Sequence, residues 1–188
     1  MSQALSIANA EKGVLIVVDI QDRLLSAMPQ QRQEMIQTSV QTLLAAVDVL
    51  ALPVLVTEQY PKGLGHTVAA LKDILPANTL IFEKTQFSAW QVDDIAAVLK
   101  QSEYQQVFLC GMETHICILQ TALDLLKQGF EVFVIEEAVC SRDNKHYQSA
   151  LNRLRDAGAV ITNIESLLFE CLGDARHPQF KTISKLII

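Results

Sequence analysis

Three residues of this chain carry side chains that could together perform nucleophilic chemistry: the carboxylate Asp19, the ammonium Lys84 and the thiol Cys117. Each follows a short apolar run, which is where the carboxyl ends of buried parallel strands are expected. A thiolate attacks carbonyl carbons, a carboxylate can accept the thiol proton, and an ammonium stabilises the thiolate. These residue types are those of a cysteine hydrolase, provided that the fold brings them together.

Each of the three residues also has an ordinary structural interpretation. An Asp after a strand often caps a helix or forms a turn, a Lys there is often solvated, and a free Cys is often a small buried hydrophobe. For Cys117 the position favours reactivity, because Thr114 is a natural N-cap and Cys117 then lies in the first helical turn, where free amides and the helix dipole stabilise a thiolate. Cys110 lies in an apolar run and Cys171 in an apolar C-terminal segment, so we expect both to be structural.

The elements that must position these side chains alternate between strands and helices. Short apolar runs rich in β-branched residues predict strands over Val14–Val18, Val54–Thr57, Leu80–Phe82, Val107–Cys110, Val132–Ile135 and Ala159–Thr162. Because these runs are almost entirely apolar, we expect helices to cover both faces of the sheet.

Helical periodicity lies between the apolar runs. It predicts helices over Glu34–Leu50, Asp93–Lys100, Thr114–Lys127 and Tyr147–Ala157. Right-handed crossovers then favour an α/β fold, a three-layer, doubly wound, Rossmann-like sheet of about six parallel strands, with the ligand outside the carboxyl ends of the strands.

Composition limits the class of partner. The chain has 188 residues, 50% of them hydrophobic, and a net charge of −6, which favours a single domain over residues 1–188 and gives no electrostatic reason to bind nucleic acid. No apolar run approaches the roughly 20 residues of a membrane helix, and Met1 to Lys12 lacks the pattern of a signal peptide, so we expect a cytoplasmic protein without membrane contact. The four cysteines form no CxxC pair, and we expect them to be reduced.

Three motifs together resemble the isochorismatase-like cysteine hydrolases. They are VVDIQ after the first strand, EKTQFSAW after the third, and GMETHICILQTA at the junction of the fourth strand with its helix. Two further segments, TEQYPKGLG from Thr57 and AVCSR from Ala138, resemble the isochorismatase domain-containing branch of that superfamily. The resemblance covers nearly the whole chain and implies the isochorismatase-like hydrolase fold, a catalytic triad of Asp19, Lys84 and Cys117, and a cis peptide bond between Met112 and Glu113.

The resemblance also implies an activity. We expect hydrolysis of a small carboxamide or related C–N bond through a thioester, with backbone amides near Glu113 and Cys117 binding the oxyanion. Cys117 is then expected to be the most reactive of the four thiols, with a pKa below the roughly 8.5 of free cysteine. Two alternatives stay open: vinyl-ether hydrolysis of the isochorismatase type, which needs an acid but no cysteine, and an interaction protein with little turnover. Candidate pocket residues are Gln21, Tyr60, Phe87, Trp90, Thr114 and His115.

We expect neither metal nor cofactor. Nicotinamidases of the superfamily have an Asp-x-His metal motif after the second strand, where this chain has Glu58-Gln59-Tyr60, and His66 is interpreted as a lone exposed loop residue. The tail from Phe180 through Ile183, Leu186, Ile187 and Ile188 is apolar and favours burial, either against a second copy of the chain or on its own subunit. The superfamily resemblance favours the first, so we also expect a homo-oligomer.

Overall fold

The chain builds one sheet of six parallel strands in the computed structural model, which describes residues 5–187. The strands are β1 (Gly13–Val18), β2 (Val54–Gln59), β3 (Leu80–Lys84), β4 (Gln106–Met112), β5 (Glu131–Cys140) and β6 (Val160–Thr162). They lie in the order β3-β2-β1-β4-β5-β6. The predicted α/β fold is confirmed, and each predicted strand is present.

Strand β5 is much longer than the predicted Val132–Ile135, because it continues to Cys140. The apolar pattern is interrupted at Glu136 and Glu137, which are less buried than the residues on either side. The pairing of β5 with β4 shifts register opposite Leu109 and Gly111. This irregularity allows the strand to continue past two charged residues, which a periodicity argument does not anticipate.

Nine α-helices connect and flank the strands of the described part of the chain. They are α1 (Asp22–Ser26), α2 (Gln30–Val49), α3 (Pro61–Leu64), α4 (Ala69–Lys72), α5 (Asp93–Gln101), α6 (Leu119–Lys127), α7 (Asn144–Asp156), α8 (Ile164–Leu172) and α9 (Phe180–Ile187). Short 3-10 turns span Ala10–Lys12 and Ala89–Gln91, and a π turn spans Thr114–Ile118. Helix α7 begins before the predicted Tyr147, because the Asp143 carboxylate accepts a hydrogen bond from the Lys145 amide at 2.6 Å and caps the helix.

Helices cover the sheet on both faces. Leu15 and Val17 of β1 pack into the layer that contains α2 and α8, whereas Val14, Ile16 and Val18 pack into the layer that contains α5, α6 and α7. All six residues of β1 are buried, which explains why its sequence is continuously apolar instead of alternating.

Strand β3 departs from the expectation of burial on both faces. It is an edge strand that pairs only with β2, and Leu80 and Ile81 are 46% and 44% exposed. Its apolar sequence does not distinguish an edge strand from a central one, because only the strand order decides how many neighbours a strand has.

The apolar tail packs on its own chain. Ile183 of α9 is completely buried, and Phe180, Leu186 and Ile187 pack against the core layer that contains α2 and α8. Burial of the tail is thus met at least in part on its own chain, which is the alternative to burial against a second copy, and Ile188 lies outside the described residues. Within residues 5–187, no helix combines the length and the apolar character needed to cross a membrane.

The strand order places a crevice between β1 and β4, where the crossovers change direction. Gly111 of β4 lies against β1 at this point, with a φ of +120°, and a Cβ there would overlap the carbonyl oxygen of Val18. The two strands can therefore approach closely just before Asp19 only because residue 111 lacks a side chain.

Candidate active site

Asp19, Lys84 and Cys117 meet at the carboxyl ends of the strands. The Nζ atom of Lys84 lies 2.6 Å from Oδ2 of Asp19 and 3.8 Å from Sγ of Cys117. Both charged side chains are fully enclosed, and Cys117 is 6% exposed. The fold therefore brings together, inside the protein, the three residues that the sequence singled out.

Asp19 is held in place by the neighbouring strand. Its backbone amide donates to the carbonyl of Thr57 at 3.1 Å, and the Thr57 hydroxyl donates to Oδ1 of Asp19 at 2.7 Å. The φ of Asp19 is +53°, a left-handed conformation that costs an L-residue about 1–2 kcal/mol. The chain turns sharply there, directly after β1, and the surrounding hydrogen bonds stabilise that turn.

Lys84 has more acceptors than the sequence indicates. Besides Asp19, its ammonium donates to Oε1 of Gln59 at 2.7 Å and to the carbonyls of Gln86 and Phe87 at 3.2 and 3.3 Å. Because an ammonium has three hydrogens, the two short contacts occupy two, and the third is shared between the carbonyls and the thiol. This network directs the positive charge toward Cys117.

Cys117 lies in the π turn that precedes α6. The carbonyl of Glu113 accepts hydrogen bonds from the amides of Ile116 and Ile118 at 3.0 and 3.3 Å, so Glu113 occupies the N-cap position. The prediction that Thr114 caps the helix is wrong, since the wider π turn begins one residue earlier. The Thr114 hydroxyl is buried and has no hydrogen-bond partner among residues 5–187, and the peptide bond between Met112 and Glu113 is cis.

Burial has the largest effect on the pKa values of Cys117 and Asp19. Desolvation raises the pKa of Cys117 to about 12, and the negative charge of Asp19 adds to the rise while the Lys84 ammonium opposes it. The expectation of a thiol pKa below that of free cysteine is therefore wrong for the resting site, because it counted the cation and the helix terminus but not the loss of water. Burial likewise raises the pKa of Asp19, against the opposing effect of Lys84. A carboxylate with a raised pKa is a better acceptor for the thiol proton.

The aromatic pocket candidates separate into two groups. Tyr60 and Phe87 are 55% and 53% exposed on the loops after β2 and β3. Trp90 instead packs edge-on against Phe130, with ring centroids 6.0 Å apart, and Lys100 lies over its ring. Trp90 thus packs between α5 and the segment that follows α6.

A cavity of about 600 Å³ lies beside the triad, with a lining of mixed polar and apolar character. It is bordered by Tyr60, Pro61, Lys62, Glu83, Lys84, Thr85, Gln86, Gln91, Val92, Asp93 and Asp94. Neither Asp19 nor Cys117 borders it, and the enclosed Lys84 side chain shows that it does not open onto the ammonium. We therefore place the chemistry at the three contacting side chains and not in this cavity.

Gln21 and His115 have partners of their own. Gln21 is completely buried, and its side-chain amide donates to the carbonyls of Gln59 and Gly65 at 3.0 and 2.6 Å. Nδ1 of His115 lies 2.9 Å from the Ser141 hydroxyl, and burial lowers the pKa of that imidazole. Gln21 therefore holds the loop after β2, whereas His115 joins the turns after β4 and β5.

Thr57 and Gln59 were missed as site residues by the sequence argument, although both contact the triad directly. The available signal was their position at the end of β2, the strand that lies between β1 and β3. His66 is 63% exposed as expected, but it is not alone, because its Nδ1 lies 2.7 Å from the Glu58 carboxylate. Among residues 5–187, no cluster of three His, Cys, Asp or Glu side chains could hold a metal ion.

Sequence comparison identifies similar proteins. The isochorismatase domain model matches residues 13–166. A salmon (Salmo salar) isochorismatase domain-containing protein 1 is 43% identical over 147 residues, which are 78% of this chain but 51% of that protein, so the chain spans about half the length of that relative.

Solved structures extend the similarity to nearly the whole chain. The structure of the MAR1 ribonuclease from Caenorhabditis elegans is 40% identical with a TM-score of 0.91, and the match covers 97% of this chain and 92% of that one. YcaC from Pseudomonas aeruginosa, solved with hexane-2,5-diol and covalent acrylamide, is 25% identical with a TM-score of 0.89, covering 97% and 92%. On the extent of these matches and the shared fold, the chain belongs to the isochorismatase family.

Proposed function

We propose that this protein is a cysteine hydrolase that cleaves a small carboxamide or related C–N bond. The observation that carries the proposal is the single buried ammonium of Lys84, which contacts both the Asp19 carboxylate at 2.6 Å and the Cys117 thiol at 3.8 Å. The covalent acrylamide in P. aeruginosa YcaC supports the presence of a nucleophile in this fold, because acrylamide bonds to nucleophiles such as thiols through its vinyl carbon.

The first half of the reaction forms a thioester. Because the resting thiol is protonated, Asp19 takes the Sγ proton as the sulfur attacks the carbonyl carbon, and Lys84 stabilises the negative charge on sulfur during that transfer. Backbone amides near Glu113 and Cys117 hold the oxygen of the tetrahedral intermediate. The intermediate collapses when Asp19 returns the proton to the leaving nitrogen, which departs as an amine or ammonia.

The second half releases the acid. Asp19 removes a proton from a water molecule, the hydroxide adds to the thioester carbonyl, and the C–S bond breaks. The Cys117 thiolate recovers the proton from Asp19, so the site returns to its starting state. A vinyl-ether hydrolase would need only the acid, and it would leave the enclosed Cys117 without a role.

A ribonuclease is the second candidate, because the C. elegans protein with 40% identity bears that name. RNA binding relies on clustered Lys and Arg, whereas this chain has 15 basic against 21 acidic residues. The Lys84 ammonium is enclosed and paired with Asp19, so it is not placed to contact a phosphate. These observations favour the amidase.

A substrate screen separates the candidates. Small amides, ureides, vinyl ethers and a short RNA are incubated with the wild type, with Cys117→Ala and with Cys171→Ser as the matched cysteine control, and products are followed by mass spectrometry. We expect turnover of an amide or ureide that Cys171→Ser retains and Cys117→Ala loses. Full activity of Cys117→Ala on a vinyl ether or RNA would replace the proposal, and the absence of any turnover would favour an interaction protein.

We also propose that the protein is a homo-oligomer. The exposed edge of the sheet supports this proposal, whereas the apolar tail packs on its own chain. Leu80 and Ile81 of β3 are nearly half exposed, and β3 has no strand neighbour beyond β2 in the described structure. Light scattering at micromolar concentration tests this proposal, and a monomer would contradict it.

A further inference from the structure

The ammonium of Lys84 is held by one charged and several uncharged acceptors. Its two short hydrogen bonds go to the Asp19 carboxylate at 2.6 Å and to the side-chain oxygen of Gln59 at 2.7 Å. The second acceptor contributes a hydrogen bond without a formal charge. Among these acceptors only Asp19 carries a formal negative charge, and the ammonium, 3.8 Å from the sulfur, lowers the pKa of Cys117 against the opposing effects of burial and Asp19.

The orientation of the Gln59 side chain is set on both sides. Its Nε2 donates to the carbonyl of Thr85 at 2.8 Å, which leaves Oε1 facing the ammonium. Its backbone amide donates to Oε1 of Gln21 at 2.7 Å, and Gln21 donates back to the Gln59 carbonyl at 3.0 Å. Since Gln21 is completely buried, Gln59 is attached to a rigid part of the fold.

We propose that Gln59 is a positioning residue that holds Lys84 through a neutral oxygen and thereby keeps the ammonium charge available to the Cys117 thiolate. A glutamate at position 59 has the same shape and accepts the hydrogen bond from the ammonium, but it adds a negative charge beside Lys84 and loses the donor to the Thr85 carbonyl, a donor that methionine also lacks. That charge would neutralise Lys84 and raise the pKa of Cys117 further. The inference rests on the proposed function for the role of Cys117, but its test measures thiol chemistry directly.

The test compares the rate at which iodoacetamide alkylates Cys117 at neutral pH in Gln59→Glu, Gln59→Met and the wild type. Peptide mass spectrometry follows each cysteine separately, and Gln101→Glu, an exposed position at the end of α5, is the control for an added charge. We expect Gln59→Glu to slow alkylation of Cys117 by about tenfold or more, because each unit of pKa changes the thiolate fraction tenfold. Gln59→Met should slow it by only several-fold, through a looser Lys84, and Gln101→Glu should match the wild type.

The relative rates of Cys117 alkylation in Gln59→Glu and Gln59→Met test the proposed role of Gln59. If Gln59 only fills space and bridges the loop, Gln59→Glu and Gln59→Met lose the same hydrogen bond to Thr85, so alkylation slows to a similar extent in both or more in Gln59→Met, and either result overturns the proposal. Cooperative thermal unfolding shows whether each variant is folded. If Gln59→Glu does not fold, the pH profile of alkylation in Gln59→Met decides: a shift of the Cys117 profile to higher pH with an unchanged Cys171 profile supports the proposal, and an unshifted Cys117 profile overturns it.

Amide turnover measured on the same variants separates this inference from the proposed function. If no amide is hydrolysed but the alkylation order holds, the proposed function fails and the role of Gln59 stands. If an amide is hydrolysed and the order is reversed, the role of Gln59 fails alone.

Discussion

Replacing Lys84 by Met would leave the Asp19 carboxylate buried without its counter-charge. The two side chains are fully enclosed, and Nζ and Oδ2 are 2.6 Å apart. At an effective dielectric constant of about 20, their Coulomb attraction is about 6 kcal/mol, part of which offsets the cost of removing both charges from water. Breaking such a pair by deleting one partner costs about 3–5 kcal/mol. For a chain of this size we expect the unfolding midpoint to fall by about 6–20 °C.

The loss of stability in Lys84→Met should increase with pH. Burial already raises the pKa of Asp19 above 3.8, and removal of the neighbouring cation raises it further. Between the unfolded and folded pKa values, the folded variant holds a proton that the unfolded chain has released. Its free energy of unfolding therefore falls as the pH rises through that window and recovers at lower pH, where Asp19 is protonated in both states.

Thermal and urea unfolding of four proteins, followed by circular dichroism at several pH values, tests this reasoning. The proteins are the wild type, Lys84→Met, Asp19→Asn and the double variant. The double variant should be more stable than Lys84→Met, because asparagine removes the buried charge and can still accept from Thr57, whose hydroxyl lies 2.7 Å from Oδ1. A wild-type midpoint for Lys84→Met, or a double variant less stable than Lys84→Met, would refute a buried ion pair.

Three further changes have expected outcomes. Limiting iodoacetamide should alkylate Cys117 before the more exposed Cys171, because of these two thiols only Cys117 contacts both a proton acceptor and a cation. Peptide mapping that finds Cys171 modified first would contradict this. Gly111→Ala should lower the free energy of unfolding by at least about 2 kcal/mol, because the added methyl group overlaps a carbonyl of β1. Gly129→Ala is the control, since it has a φ of +91° but open space around it, and urea unfolding should show a cost of only about 1–2 kcal/mol. Ile183→Ala should lower the free energy of unfolding by about 2–5 kcal/mol and leave the mass measured by light scattering unchanged, since this side chain is buried within its own chain. A change of mass without loss of stability would instead indicate that the tail forms an interface.

The sequence determined the fold class through local patterns. The continuously apolar β1 predicted a strand covered on both faces, and all six of its residues are buried. The periodicity between Glu34 and Leu50 predicted a helix, and α2 spans Gln30–Val49. Such patterns are readable because side-chain burial repeats with the geometry of the element itself. The positions of Asp19, Lys84 and Cys117 after three strands were visible for the same reason.

Other features depend on which elements become neighbours, and only the tertiary structure decided them. The strand order made β3 an exposed edge and placed Thr57 and Gln59 of β2 between the Asp19 and Lys84 that they hold. Local sequence carries no record of these contacts, because the partners are separated by tens of residues. The protonation of Cys117 is of the same kind. Desolvation depends on everything packed around the sulfur, and it outweighs the nearby ammonium that the sequence indicated.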